Sequence, residues 1–273
     1  MSWETMVWSV RRELWENRSI YMAPLIVAVV IVFASLLGTV GGLNSTAARF
    51  ASHAEIAGGG LMATALIVAI FYCLDALYGE RRDRSSLFWK SMPVSDSTAV
   101  LSKMAIPIVI LPVVTFVLTV ATQFVMLLMS AAVLSMKGHS AAALWNMPWL
   151  QMSSGLLYHL VTVHSLYYAP IFGWLLLVSA WAKRLPFLWA FLPPAAIGVI
   201  EKIVFNSTHF ATMLGGRISG GMESPPPKGR ELMMMWPSHP LAFLGSPDLW
   251  IGFAIAAVCL VGAIRLRRYR EPI

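Results

Sequence analysis

The sequence predicts an all-α integral membrane protein with six transmembrane helices, and three observations lead to that fold class. Of the 273 residues, 58% are hydrophobic and only 12% are charged, whereas about 25% of the residues in soluble domains are charged. Six stretches approach the roughly 20 apolar residues that a helix needs to cross a bilayer. Lys and Arg cluster in alternate loops between these stretches, as expected of a membrane protein. A water-soluble core is therefore excluded.

The first predicted element is an amphipathic helix over residues 1–18. Its apolar residues recur at intervals of three and four: Trp3, Met6, Val7, Val10 and Leu14. Arg11, Arg12 and Glu13 lie away from that stripe. A helix of this kind, rich in Trp and Arg, favours the headgroup layer of a membrane over the alternative of an ordinary surface helix. The segment lacks the apolar core of a signal peptide, so we expect Met1 to stay in the cytosol.

The six predicted spans are set by apolar length. They cover residues 20–41, 61–78, 104–134, 156–182, 185–205 and 249–266. The first is the clearest, with eleven Leu, Ile, Val and Phe residues between Leu25 and Val40. The fifth is the weakest, because Pro193 and Pro194 remove helix hydrogen bonds. We expect the fifth span to be bent or incomplete.

The distribution of basic residues predicts the orientation of the spans. The N-terminus, the loop 79–103, the loop after the fourth span and the C-terminus together hold 14 of the 20 Lys and Arg residues, and the alternate loops hold six. Basic residues concentrate on the cytoplasmic side of membrane proteins. The sequence therefore predicts that both termini are cytoplasmic. Residues 206–248 would then lie on the extracytoplasmic side.

The loop 79–103 carries the densest charge in the chain. Residues 85–92 are long enough for about two helical turns, Pro93 ends them, and Ser95 or Asp96 can cap the helix that enters the third span. Phe88 and Trp89 lie among charged residues, as in a surface that docks a partner. The alternative is that both aromatic rings dip into the headgroup layer.

This loop also carries a family resemblance. The order Gly79-Glu80-Arg81-Arg82, then Leu87, Lys90, the Pro93-Val94-Ser95 turn and Lys103 resembles the ABC-2 type permeases of ATP-binding cassette transporters. The N-terminal stretch Arg11–Glu16 before Pro24, and six predicted spans with cytoplasmic termini, are similar to bacterial members of that family. The resemblance thus covers nearly the whole chain.

The resemblance implies the permease subunit of an exporter in the bacterial cell inner membrane. Residues 1–18 would be its elbow helix, and the loop 79–103 would hold a coupling helix that docks on a separate ATPase. Residues 206–248 would form the extracytoplasmic or re-entrant segment between the fifth and sixth spans. The implied ATPase contacts are Glu80, Arg81, Arg82, Asp83, Arg84, Leu87, Phe88, Trp89, Lys90 and Pro93. The other implied partner is a second permease subunit, identical or different.

No cofactor, metal or catalytic residue is predicted in this chain. It has no GxxxxGK[ST] phosphate loop, so ATP and Mg are expected on the partner ATPase. Cys73 and Cys259 lie in apolar runs, and His159 and His164 would lie about 140° apart on a helix, unlike a metal pair. Basic residues lie at span ends, which favours membrane orientation over binding to nucleic acid.

A polar stripe marks the third predicted span. It consists of Thr115, Thr119, Thr122 and Gln123. These side chains could line a translocation path, although packing between helices is the favoured interpretation. Asp75 is expected to hydrogen-bond a neighbouring helix or to reach the interface, with a proton relay as the alternative.

Two further groups are expected outside the cytoplasmic side. Glu201 and Lys202 are placed at the outer interface. Met233–Met235 are expected to pack at the membrane surface, with binding of a soft metal or an apolar substrate as the alternative.

The alternative function is a six-span membrane enzyme or an ion-coupled carrier that acts without an ATPase. An enzyme needs convergent catalytic groups at one depth, and a carrier is expected to show inverted repeats or central charges. Neither feature is evident in the sequence, which favours the transporter subunit. The substrate and the direction of transport stay open.

Overall fold

The computed structural model describes residues 3–41, 47–83, 94–138, 140–146, 149–218 and 242–269, and within these ranges it contains no strand. In chain order the α-helices are α1 (Trp3–Glu16), α2 (Ser19–Val40), α3 (Ala47–Ala76), α4 (Tyr78–Arg82), α5 (Asp96–Ala105), α6 (Leu111–Met136), α7 (Ala142–Trp145), α8 (Trp149–His159), α9 (Ala169–Trp181), α10 (Pro186–Phe205), α11 (His209–Ile218) and α12 (Pro247–Tyr269). The π-helical segments Ile106–Ile110 and Leu160–Tyr167 join α5 to α6 and α8 to α9. A 3-10 turn at Ala242–Gly245 precedes α12.

Several of these helices are long and apolar enough to cross a membrane. Within the described residues there are five: Ser19–Val40, Phe50–Arg82, Asp96–Met136, Pro186–Phe205 and Pro247–Tyr269. A further pair, Trp149–Tyr167 and Ala169–Trp181, bends by 44° and makes a sixth crossing if its halves act as one span. The predicted all-helical class is confirmed, and the chain has the helices of a multi-pass membrane protein. The exact layout of six spans stays a prediction.

The second and third spans extend well beyond their apolar parts. Helix α3 begins at Ala47 rather than at residue 61, and α5 begins at Asp96 rather than at residue 104. A helix continues past the apolar segment because each further turn satisfies its own backbone groups. Ser95 caps α5, since its hydroxyl oxygen accepts the backbone N–H of Thr98 at 3.2 Å. The predicted cap is therefore confirmed.

The fourth predicted span is broken by a bend, whereas the fifth is a single continuous helix. Helix α10 runs unbroken for 20 residues through Pro193 and Pro194. Pro194 cannot donate to the carbonyl of Ala190, but the indole N–H of Trp174 on α9 donates to that carbonyl at 3.0 Å. The fifth predicted span therefore has the length of a complete crossing, with a neighbouring helix supplying a donor to the Ala190 carbonyl, and a bend within it stays a prediction.

The core lies where α3, α9 and α12 pack together. Phe172 and Leu176 of α9 and Cys73 of α3 are completely buried there. A Cβ atom added to Gly173 would lie 3.3 Å from the Cα of Ala256, so glycine permits the close approach of α9 and α12. By contrast, Ala190 is the one buried residue of α10, so the fifth span packs on the rim of the bundle.

Candidate functional site

A cluster of charged side chains lies buried at one end of the bundle. We call it the charged hub, and it consists of Arg12, Glu13, Tyr72, Glu80, Asp96, Lys103 and Arg267. The innermost pair is Glu13 of α1 and Lys103 of α5, whose side chains are 1% and 2% exposed. Lys103 Nζ lies 2.8 Å from Glu13 Oε1, and the hydroxyl of Tyr72 donates to Glu13 Oε2 at 2.8 Å. Both oxygens of this buried carboxylate are thus satisfied.

Glu80 of α4 connects the inner pair to the rest of the hub. Its Oε1 lies 3.1 Å from Lys103 Nζ and 3.2 Å from Arg12 Nη2. Its Oε2 lies 2.5 Å from Nη1 of Arg267, near the end of α12. The Nε atom of the same arginine lies 3.2 Å from Asp96 Oδ1 at the start of α5. The hub therefore joins α1, α3, α4, α5 and α12.

The charges of the hub balance. The three carboxylates of the hub face its three cations, which is the arrangement that buried charges require. At its outer side Arg12 Nε also lies 3.5 Å from the more exposed carboxylate of Glu16. Burial alone would raise the pKa of Glu13, but Lys103, Arg12 and the hydrogen bond from Tyr72 together lower it below its usual value. Burial would lower the pKa of Arg12, yet the neighbouring carboxylates raise it. Glu13 and Arg12 are therefore ionised at neutral pH.

A second tie lies beside the hub, between the end of α3 and the end of α9. The hydroxyl oxygen of Ser179 accepts the backbone N–H groups of Leu77 and Tyr78 at 3.0 and 2.9 Å. The buried guanidinium of Arg81 donates to the carbonyls of Ser179 and Ala182. The chain therefore enters the loop 79–103 from a rigid base.

The ten predicted ATPase contacts fall into three groups. Glu80 and Arg81 are engaged inside the chain, in the ion pairs and hydrogen bonds just described. Arg82 and Asp83 are exposed and pair with each other at 3.0 Å. The rest lie outside the described residues, namely Arg84, Leu87, Phe88, Trp89, Lys90 and Pro93. Contact of any of the ten with an ATPase stays a prediction.

All four residues of the polar stripe are buried inside the bundle. Gln123 Nε2 donates to the carbonyl of Ala54 on α3 at 3.1 Å, which agrees with packing between helices. The hydroxyls of Thr115 and Thr119 have no hydrogen-bond partner in the described part of the chain. A translocation path along this stripe stays a prediction.

The opposite end of the bundle has its own polar ties. Lys137 Nζ donates to the carbonyl of Val40 at 2.6 Å and so joins α6 to α2. Glu201 accepts the backbone N–H groups of His209 and Phe210 at 2.8 and 2.9 Å, so it caps α11. Arg217 of α11 donates to carbonyl oxygens of two other helices, at residues 167 and 248.

The other predicted polar residues are spread through the fold. Asp75 is exposed near the end of α3, and Lys202 is exposed near the end of α10. The angle expected between His159 and His164 assumed an α-helix, whereas His164 lies in a π-helical segment. Among the described residues, no group of three or more His, Cys, Asp or Glu side chains could hold a metal ion. Met233–Met235 lie outside the described residues.

Sequence reasoning missed the inner pair of the hub. It placed Glu13 on the polar face of α1 and gave Lys103 no partner. The two residues are 90 positions apart in the sequence, and only the fold brings them into contact. The sequence contained one signal for this pair, which is that acidic and basic residues occur together on one side of the predicted membrane. Several acidic and basic residues lie at span ends on the side predicted to be cytoplasmic, and burial there requires that they pair.

Comparisons of the chain with protein-family models, with curated proteins and with solved structures gave no match. The function is therefore argued from the residue pattern and the geometry of the site. Of these features, the charged hub is the one that joins the most elements of the bundle.

Proposed function

We propose that this chain is the permease subunit of an ABC transporter of the ABC-2 type. It moves a substrate across a membrane, as an exporter, with energy from ATP that a separate ATPase subunit hydrolyses. The observation that supports this proposal most is the charged hub, which ties the base of the loop 79–103 to α1, α3 and α12. A loop that receives force from a partner needs such a base.

In the proposed mechanism the hub acts as a rigid joint. Motion of the ATPase displaces the loop. The base of the loop is attached to the helices through the ion pairs of Glu80 with Lys103, Arg12 and Arg267. Through Arg81 it is also fixed to the end of α9. Because packed helices move as rigid bodies, displacement of this joint tilts the attached spans together. The tilt changes which face of the membrane the bundle opens to.

The proposed partners are an ABC ATPase, which binds ATP and Mg, and a second permease subunit. The proposed location is the inner membrane of a bacterial cell, with the charged end of the bundle in the cytoplasm. An open cavity of about 350 Å³ lies at this end, between the start of α5 and the end of α12, and Asp96, Arg267 and Arg268 contribute to its polar wall. A polar recess beside the loop suits a surface that meets a soluble protein.

The test uses Arg82, whose side chain is 57% exposed and pairs with the neighbouring Asp83. The full chain is produced in its natural host, and the ATPase that purifies with it is measured. We expect Arg82→Glu to reduce ATPase capture several-fold while membrane insertion stays unchanged, because it reverses a rim charge. The matched control is Lys202→Glu, an exposed cation near the far end of α10.

Two outcomes would count against the proposal in different ways. If Arg82→Glu captures as much ATPase as the unmodified chain, the loop base is not the docking surface. If no ATPase purifies with the unmodified chain under conditions that keep membrane complexes intact, the transporter assignment itself fails. Substrate turnover or ion-driven flux by the chain alone would then favour the membrane enzyme or the ion-coupled carrier.

A further inference from the structure

Two hydroxyl groups in the middle of the bundle are buried without partners. Thr115 and Thr119 lie one turn apart on α6, and both residues are 0% exposed. Neither Oγ1 atom meets a hydrogen-bond partner among the described residues. A buried hydroxyl that loses its bonds to water without replacing them destabilises the state in which it is buried. In this packing, the hydroxyls of Thr115 and Thr119 are therefore able to form hydrogen bonds that they do not form.

The surroundings of the two hydroxyls are polar on one side and apolar on the other. Gly58 of α3 packs beside the methyl group of Thr119 and the amide of Gln123, since a Cβ atom added there would lie 3.6 Å from Thr119 Cγ2 and 3.9 Å from Gln123 Nε2. Beside this contact lies a small apolar cluster contributed by α3, α6, α8 and the second π-helical segment. Its members are Met62, Phe116, Leu156 and Leu160. An amphiphilic molecule would match both sides.

The chemistry of the stripe selects among ligands. Its four residues offer hydroxyl and amide groups, which both donate and accept hydrogen bonds, and none of the four carries a formal charge. A charged group moved to this depth would find no counter-charge on the stripe and would keep its large desolvation penalty. An uncharged polar group would instead satisfy the free hydroxyls.

The helix that carries the stripe also has a natural point of movement. The π-helical segment Ile106–Ile110 directly precedes α6, and it contacts the second π-helical segment, Leu160–Tyr167. Short π-helical segments in α-helices occur often at functional sites, where the extra residue in a turn permits a change of register. The first of these segments lies between Lys103 of the charged hub and Thr115 of the stripe along the chain.

We propose that Thr115, Thr119 and Gln123 form a closed subsite for the uncharged, hydrogen-bonding part of an amphiphilic ligand, such as a hydroxyl or amide group. The subsite opens when α3 and α6 separate, and the two threonine hydroxyls then bond the ligand. This inference deepens the proposed transport function and rests on it for its biological purpose. Its tests need no ATPase, so the two proposals can fail separately.

The first test measures thermal unfolding of the full chain in detergent. Thr115→Val and Thr119→Val each remove an unsatisfied hydroxyl with little change of shape, so we expect each to raise the unfolding midpoint by about 2 to 4 °C. The matched control is Thr39→Val, because the buried Thr39 hydroxyl bonds Ser35 O at 2.8 Å and Ser130 Oγ at 3.2 Å. That control should lower the midpoint. A decrease in all three variants would overturn the claim of unused hydroxyls.

The second test measures access to the stripe in membrane vesicles. Thr119→Cys is placed in a chain whose native cysteines, Cys73 and Cys259, are replaced by alanine. The probes are hydroxyethyl and sulfonatoethyl methanethiosulfonate, which differ in charge. We expect the uncharged probe to react at least about tenfold faster than the anionic one, because a charge is costly at this depth.

The matched control for access is Ala65→Cys, at a completely buried position in the main core of α3. It should resist both probes, which separates opening at the stripe from general permeation of the bundle. Equal protection of Thr119→Cys and Ala65→Cys would overturn the subsite. Equal rates with the two probes at Thr119→Cys would overturn its preference for uncharged groups.

Discussion

Glu13 illustrates what a buried charge does in this chain. Its carboxylate lies out of contact with solvent, yet it meets two cations and a tyrosine hydroxyl. A buried ion pair adds little stability relative to apolar residues of the same volume, but removal of one partner is strongly destabilising. The pair therefore acts mainly to fix which surfaces meet. It holds α1 against α5 in one register.

This role predicts the effect of Lys103→Met. The substitution keeps most of the side-chain volume but removes one of the two cations that lie 2.8 Å from Glu13 Oε1, and the more buried of them. We expect the free energy of unfolding to fall by about 3 to 5 kcal/mol, because an anion stays buried with weaker compensation. Chemical denaturation of the full chain in detergent micelles measures the change.

The control for that prediction is Lys183→Met, since Lys183 is exposed at the end of α9. This variant should change stability by no more than about 0.5 kcal/mol. The double variant Glu13→Gln with Lys103→Met should recover part of the loss, because no unpaired charge is left. The interpretation would be refuted by a Lys103→Met chain as stable as the Lys183→Met chain.

The sequence predicted some of these residue-level features and could not predict others. The Ser95 cap was predictable because capping depends on a local arrangement of three or four residues. The contact of Glu13 with Lys103 was not, because helical periodicity says which face a residue occupies and nothing about its partner across the fold. The periodicity of α1 assigned Glu13 to a polar face with Arg11 and Arg12, but the fold buries Glu13 while Arg11 stays exposed.

At the level of elements, α10 shows how a span tolerates two consecutive prolines. The helix stays continuous because Trp174 of α9 donates to the Ala190 carbonyl that Pro194 leaves without its helical donor. Free carbonyls in a lipid-exposed helix are costly because no water is present to bond them. The indole therefore stabilises α10 and also fastens it to α9.

We predict that Trp174→Phe weakens this attachment. The substitution keeps an aromatic ring but removes the N–H donor, so the unfolding free energy should fall by about 1 to 3 kcal/mol as the carbonyl loses its partner. The second change Pro194→Ala supplies a backbone N–H in the helical position and should restore much of the loss. Thermal unfolding of the two variants gives the comparison. If Pro194→Ala does not rescue Trp174→Phe, the lost energy comes from packing of the ring and not from the hydrogen bond.

Apolar length predicted the existence of long apolar helices but not how far those helices extend. The apolar windows located the segments because lipid requires about 20 apolar residues. The ends at Ala47 and Asp96 lie outside those windows, where side chains of either polarity are tolerated. The bend after Leu160–Tyr167 was not predictable either, because one additional residue in a helical turn leaves no distinct pattern in composition.

At the scale of the whole molecule, ion pairs and hydrogen bonds collect at two opposite ends. The charged hub and the Arg81 tie gather the ends of α1, α3, α9 and α12. At the other end, Lys137 joins α6 to α2. This division agrees with the counts of basic residues along the sequence, although those counts alone cannot say which helices touch. The predicted orientation can therefore be tested by labelling exposed positions at the two ends of the bundle.

That test uses exposed positions at the two ends. Trp3→Cys and Tyr269→Cys lie at the charged end, and Met136→Cys lies at the opposite end, with side chains that are 80%, 76% and 88% exposed. In a chain without its native cysteines, an impermeant maleimide should label Met136→Cys on intact cells. It should label the other two only after permeabilisation, because ends rich in Lys and Arg are generally retained in the cytoplasm. Labelling of Tyr269→Cys but not Trp3→Cys on intact cells would place the termini on opposite sides and exclude an even number of crossings.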